Sequence, residues 1–210
     1  MDRPPPPGRL IAGGLGALPA VSREAIFVVP QGTPFPKERV LGWYVGCPSD
    51  DVDFFDAMLR EIEDSQCVDP RAVFVAGMSW GAEMALALAC CRGEEIRGIA
   101  AASGSDLATI PRCPARKLPA LRATYAAGGD AFYSREEFAG SVAFFRRVHG
   151  CAAESDPVDP APCVAYRGCA EPVIDCPYRW LGHRFPNDFA PATWAFFSGL
   201  RSGSATPTQR

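Results

Sequence analysis

Histidine is nearly missing from this chain, with two in 210 residues. Long apolar runs, basic stripes and Cys-x-x-Cys pairs are missing altogether. Each absence narrows the reading. No apolar stretch approaches the roughly 20 residues a membrane-crossing helix needs, so the chain reads as soluble, with no membrane partner. The 21 basic residues are scattered among 24 acidic ones for a net charge of −3. A nucleic-acid surface concentrates cations to neutralise phosphates, and nothing here does so. No Cys/His cluster carries zinc spacing, so no metal is expected. The start, Met1-Asp2-Arg3-Pro4, lacks the charged lead and apolar core of a signal peptide.

Hydrophobic residues make up 48% and charged residues 21%, which suits one globular domain. Residues 1–8 read as a disordered Pro-rich lead, 9–203 as one domain, and 204–210 as a disordered tail. Nine cysteines stand at 47, 67, 90, 91, 113, 151, 163, 169 and 176. That density points to disulfides in a secreted or periplasmic protein rather than to buried thiols. The odd count leaves at least one thiol unpaired. Adjacent Cys90 and Cys91 are expected not to face partners both at once.

Strands and helices alternate along the chain. Ala25-Ile26-Phe27-Val28-Val29 is a short apolar run closed by Pro30-Gln31-Gly32 and reads as a buried strand. Val52, Phe55, Met58, Leu59 and Ile62 recur at helical steps over 51–65, with Asp50 or Asp51 as the cap. A second strand covers 72–76 and ends at Gly77, followed by a helix over 80–91. Strands over 99–102 and 120–125 and helices over 135–148 and 191–200 complete the set. The expected fold class is α/β, a mostly parallel sheet with helices on both faces.

At the junction of the second strand and its helix lies Gly77-Met78-Ser79-Trp80-Gly81, a G-x-S-x-G pentapeptide. A nucleophilic serine there occupies a tight turn, and the flanking glycines let strand and helix backbones approach. The helix start directs free N–H groups at the serine, making the Trp80 N–H an oxyanion donor. A serine hydroxyl needs a base. His149 ends an amphipathic helix, where an imidazole commonly meets terminal carbonyls. His183 lies in the loop Trp180-Leu181-Gly182-His183 before the last helix and is the expected base. The fold's chain order is nucleophile, acid, histidine, so the acid must fall between Ser79 and His183. Asp130 follows the 120–127 strand at the end where ligands gather in such sheets. Asp106 comes too soon after Ser79. Asp156, Asp159 and Asp175 lie in a Pro- and Cys-rich stretch or on a short strand. Trp43, Tyr44, Trp80 and Trp180 are candidates for an aromatic substrate wall, or equally for core.

Asp51-Val52-Asp53-Phe54-Phe55, Cys67-Val68-Asp69-Pro70-Arg71 and Val73-Phe74-Val75-Ala76-Gly77-Met78-Ser79 resemble the extracellular polyhydroxybutyrate depolymerase and feruloyl/acetylxylan esterase group (carbohydrate esterase family 1 and its relatives). Further matches are Val28-Val29-Pro30-Gln31-Gly32, Gly150-Cys151, Tyr166-Arg167-Gly168-Cys169, Gly182-His183 and Trp194-Ala195-Phe196-Phe197. The resemblance implies an α/β-hydrolase fold, Ser79, Asp130 and His183 as triad, and a Cys151–Cys169 disulfide. It also implies action on feruloyl, acetyl or hydroxybutyryl esters; such a serine mechanism needs no cofactor, and a monomer is expected. Two departures stand out. Phe185-Pro186 replaces the group's Trp-Pro after the histidine. The group's leading strands and their His-Gly loop, source of a second oxyanion N–H, have no counterpart before Ile26, so the chain reads as truncated; Gly13-Gly14-Leu15-Gly16 is a weak substitute. A non-catalytic descendant that binds polysaccharide or polymer is the alternative reading.

Overall fold

The computed structural model describes residue 18 and residues 23–34, 40–105, 112–114 and 117–202. The proposed lead, the tail and the 13–16 glycine run lie outside the described residues. In chain order the elements are β1 (Thr33–Pro34), β2 (Leu41–Gly42), α1 (Asp50–Ser65), β3 (Phe74–Met78), α2 (Trp80–Cys91), β4 (Gly98–Ala102) and β5 (Ala120–Ala126). Then follow α3 (Arg135–Val148), β6 (Ser155–Pro157), β7 (Val164–Tyr166), β8 (Val173–Tyr178) and α4 (Phe189–Arg201).

The main sheet runs β3-β4-β5-β8-β7-β6. Its first four strands are parallel, and β7 and β6 add antiparallel. Alternation along the strands sorts side chains onto two cores. Ile99, Ala101, Leu121, Ala123 and Val173 meet α1, α2 and α3 on one face. Ala100 and Ala102 meet Phe189, Ala190 and Phe197 of α4 on the other. Small alanines on β4 let both layers close down on the strand; α2 itself is so apolar that Ala82 and Ala85 through Cys90 are all buried.

Several expectations shift. The run at 25–29 forms no strand, because no described strand lies alongside it to take its hydrogen bonds. It follows an extended path instead, and Phe27 packs on Trp194 at 6.3 Å. Helix α1 is capped by Ser49, whose side chain accepts from the Val52 N–H, while Asp51 turns back to accept from the Tyr44 N–H at 2.5 Å. Strand β3 begins at Phe74 and continues through Gly77 to Met78, since β4 offers it partners up to Ala102. Helix α4 starts at Phe189, two residues early, because Pro191 fits a first turn whose N–H groups lack acceptors anyway. The short strands β6 and β7, broken by prolines, carried no periodic signal.

Cys90 and Cys91 both pair, contrary to expectation: Cys90 with Cys113 and Cys91 with Cys47. Neighbouring residues on a helix point about 100° apart, so each meets a different flanking loop. Cys151–Cys169 forms as the resemblance implied, and Cys163–Cys176 joins it. Among the described residues Cys67 is the free thiol, and it is exposed. His149 is buried at the end of α3, and its Nε2 faces the Pro119 carbonyl at 3.2 Å rather than its own helix's last carbonyls. Burial holds its pKa below the ordinary value.

On the α3 side, Asp175 is buried with Oδ1 lacking a hydrogen-bond partner, while the Tyr166 hydroxyl donates to Oδ2 at 3.4 Å. Burial pushes its pKa above 3.8 against the opposing pull of Tyr125, Tyr166 and Arg146. The folded state therefore holds this proton more tightly than the unfolded chain does. The associated stability is fully present below the unfolded value and is lost as pH rises through the folded one. Asp175→Asn, which stays neutral, should raise Tm over wild type at pH 7 by more than at pH 4. Calorimetry at the two pH values checks this; an equal difference at both would remove Asp175 as the cause.

Candidate active site

Ser79 sits between β3 and α2 with φ 55 and ψ −126. A non-glycine residue rarely adopts positive φ, and the strain persists only where neighbours hold it. Three hydrogen bonds do so. The Ser79 N–H donates to Ala102 O at the end of β4 at 2.9 Å. Its carbonyl accepts from the Ala82 and Glu83 N–H groups at 2.8 and 3.0 Å. The loop after β4 closes over the same turn, since a Cβ at Gly104 would lie 2.4 Å from Ser79 O.

The two glycines of the pentapeptide prove unequal. A Cβ at Gly77 would fall 2.1 Å from Gly81 O, so a side chain there forces strand and helix apart. A Cβ on Gly81 meets nothing within 4 Å. The close approach expected of both glycines is thus a demand on Gly77 alone. The N–H groups of a helix's first turn point along its axis, and the helix dipole favours negative charge at the start of α2 beside Ser79.

Asp130 lies beyond β5 in a turn opened by Gly129 at φ +85. Its Oδ1 accepts from the Phe132 and Tyr133 N–H groups at 2.8 and 2.9 Å, and its own N–H donates to Tyr133 O at 2.9 Å. Its Oδ2 lies 3.0 Å from His183 Nδ1, with the Asp130 side chain fully buried and His183 17% exposed. Burial alone would raise the Asp130 pKa, but the His183 bond and the two backbone N–H groups outweigh it and hold the carboxyl below its ordinary value. His183 follows Gly182 at φ +66 in the loop from β8 to α4. That loop is closed at its ends by the Tyr178 hydroxyl, which reaches both carboxylate oxygens of Asp188 at 2.8 Å.

The structure thus brings Asp130 and His183 into contact at the carboxyl ends of β5 and β8. Ser79 lies at the same end of β3, two strands from β5. Asp156 instead pairs with Arg167, and Asp175 lies in the core. Asp159 sits in the β6–β7 connection, and Asp106 lies outside the described residues. Trp43 is half-buried against the α1/α2 core, and Trp180 is 82% exposed with the Arg179 guanidinium 5.3 Å over its ring. Among the described residues, the rings against His183 are Phe132, at 4.5 Å, and Tyr133, at 6.0 Å and 23°. Sequence reasoning missed both. The signal available was their place immediately after Asp130. An open concavity lined by residues 127–136 runs along this turn. No three described His, Cys, Asp or Glu side chains group as metal ligands.

Feruloyl esterase D of Neurospora crassa is 33% identical over 208 residues, covering 84% of this chain and 62% of the relative. That similarity supports the feruloyl and acetylxylan esterase group that the sequence resembles. Feruloyl esterase C of Emericella nidulans is 41% identical over 81 residues, 39% of this chain and 27% of its own length. The chain therefore spans less than two thirds of the curated relatives it matches. Acetyl xylan esterase from Aspergillus awamori superposes with a TM-score of 0.63 at 13% identity, over 78% of this chain and 74% of that one. That likeness concerns the fold, which is of the α/β-hydrolase type. No protein-family model matches the chain.

The two glycines of this strand–helix turn give a direct test. Gly77→Ala should destabilise by about 3 kcal/mol or more, because a backbone carbonyl cannot yield to the new methyl. Gly81→Ala should be neutral or stabilising by up to about 1 kcal/mol through helix propensity. Urea unfolding of the two variants measures both; equal losses would contradict the asymmetry.

Proposed function

We propose that the chain is a serine carboxylic-ester hydrolase with Ser79 as nucleophile, His183 as general base and Asp130 as the acid that orients it. The observation that carries this reading is the 3.0 Å contact of His183 Nδ1 with the buried Asp130 carboxylate, at the sheet end where Ser79 stands at positive φ. Imidazole Nδ1–H donates to the carboxylate, which leaves Nε2 as the basic nitrogen. His183 takes the Ser79 proton as the hydroxyl oxygen attacks the ester carbonyl. The tetrahedral oxyanion is held by the Trp80 N–H. Collapse expels the alcohol, which leaves with the proton from His183, and water repeats the cycle on the acyl-enzyme. No step calls on a metal or organic cofactor.

The relatives' names support feruloyl esters as substrates; the proposed class is esters of plant-polysaccharide or polyester type, with acetyl and hydroxybutyryl esters its other members. Trp43 and Trp180 are the proposed substrate contacts; the exposure of Trp180 and its position three residues before His183 support its part in this reading. A monomer in an oxidising, extracellular setting fits the four disulfides. A second reading, binding without turnover, is favoured by one observation. Among the described residues strand β3 ends its side of the main sheet, and none of them adds a strand there to bring a second oxyanion N–H. A missing donor costs about a hundred- to a thousandfold in rate.

Hydrolysis of p-nitrophenyl acetate and butyrate, with fluorophosphonate labelling, separates the two. Turnover and labelling should vanish in Ser79→Ala, and Asp130→Asn should lower kcat by about 10²- to 10⁴-fold. A folded wild-type chain that neither labels nor turns over would sink the hydrolase reading and leave the binding one.

A further inference from the structure

We propose that Tyr133 is a positioning residue that ties the base to the nucleophile's helix, its ring backing His183 and its hydroxyl holding Glu83. This rests on the hydrolase reading above. One hydrogen bond to Asp130 fixes where the His183 ring is, but not its plane, and the plane decides whether Nε2 faces Ser79. Phe132 touches the ring at 4.5 Å, yet it is tilted by 58° and 71% exposed, so it offers a loose wall. Tyr133 lies nearly parallel to the imidazole, at 23°.

Tyr133 is itself held on four sides. Its N–H and C=O both bond Asp130, its ring packs on core residue Phe138 at 5.6 Å, and its hydroxyl donates to Glu83 Oε1 at 2.8 Å. Glu83 stands in the first turn of α2, with its N–H on Ser79 O at 3.0 Å. A continuous chain of contacts results, from Ser79 through Glu83 and Tyr133 to Asp130 and His183. Burial first, then Glu83, pushes the phenol pKa far above 10, with Ser79 acting as a smaller opposing neighbour, so the hydroxyl keeps the proton it donates. The link from hydroxyl to carboxylate is charge-assisted, the stronger class of hydrogen bond.

The test is a double-mutant cycle on p-nitrophenyl butyrate. Tyr133→Phe and Glu83→Leu should each lower kcat by about ten- to a hundredfold, the cost of a displaced reacting group, with KM changed less than about twofold. Glu83→Gln retains an acceptor oxygen and should keep most of the activity. The double variant Tyr133→Phe/Glu83→Leu should be no worse than the poorer single one, because both remove the same link. A Tyr133→Phe enzyme within about twofold of wild type would overturn the proposal, as would additive losses or a fall in Tm with unchanged kcat per folded molecule.

A readout independent of turnover is the Nδ1 proton resonance of His183, assignable because the chain has two histidines. It should be sharp in wild type and broadened in Tyr133→Phe. A sharp line in the variant overturns the proposal even if the wild type proves inactive. Wild-type inactivity by itself concerns only the hydrolase reading.

Discussion

Backbone contact between strand β3 and helix α2 at Gly77 is the constraint from which the rest of the site follows. Where the chain turns from strand to helix, Gly81 O occupies the space a side chain at 77 would need. That closeness forces the intervening residue, Ser79, to positive φ and lifts it above the sheet. The strain is offset by the bond from Ser79 N–H to β4 and by the two helical N–H groups on its carbonyl. The central parallel strands matter for the same reason. They are buried on both faces, so their carboxyl ends cannot drift relative to one another.

Acid and base reach this platform by loops, and loops need other means of support. The Asp130 turn is stiffened by its own carboxylate, which takes two backbone N–H groups with one oxygen and the imidazole with the other. The His183 loop is closed by Tyr178 and Asp188 at its two ends. Behind it, Arg122 is a fully buried cation on β5 that donates to Thr124 Oγ1 at 2.7 Å. Burial lowers its pKa, opposed by Tyr178 and Asp188. Buried charge is costly unless neighbouring dipoles and charges compensate it, so this patch holds β5, β8 and the start of α4 in one arrangement.

The later part of the chain has little regular structure and is secured covalently. One disulfide ties the chain just after α3 to the chain just after β7, and another ties the approach to β7 to β8. Two more fasten both sides of the end of α2 to flanking loops. Each closes a loop of a few dozen residues or fewer, and such closures stabilise by about 2–4 kcal/mol in the chain-entropy account. The cross-links thus lie around the platform's periphery, while close backbone packing shapes its centre.

The sequence by itself determined what repeats or what local chemistry dictates. Helices α1, α2 and α3 and strands β4 and β5 were legible because their apolar periodicity and end residues state their own structure. The pairing of Ser79 with a strand–helix junction was legible for the same reason, as was a search for the base confined to two histidines. Asp130 could be favoured over Asp156, Asp159 and Asp175 by its place after a strand, although all four are the same residue type. Only the tertiary structure decided the rest. An apolar run such as 25–29 becomes a strand only if another strand lies beside it, and that is not a property of the run. Cys90 and Cys91 find separate partners because a helix turns them toward different loops. Tyr133 joins acid, base and nucleophile helix only because the loop after β5 packs beside the start of α2, bringing residues 50 positions distant within 2.8 Å. Contacts of that kind depend on where whole elements pack, and no local pattern encodes them.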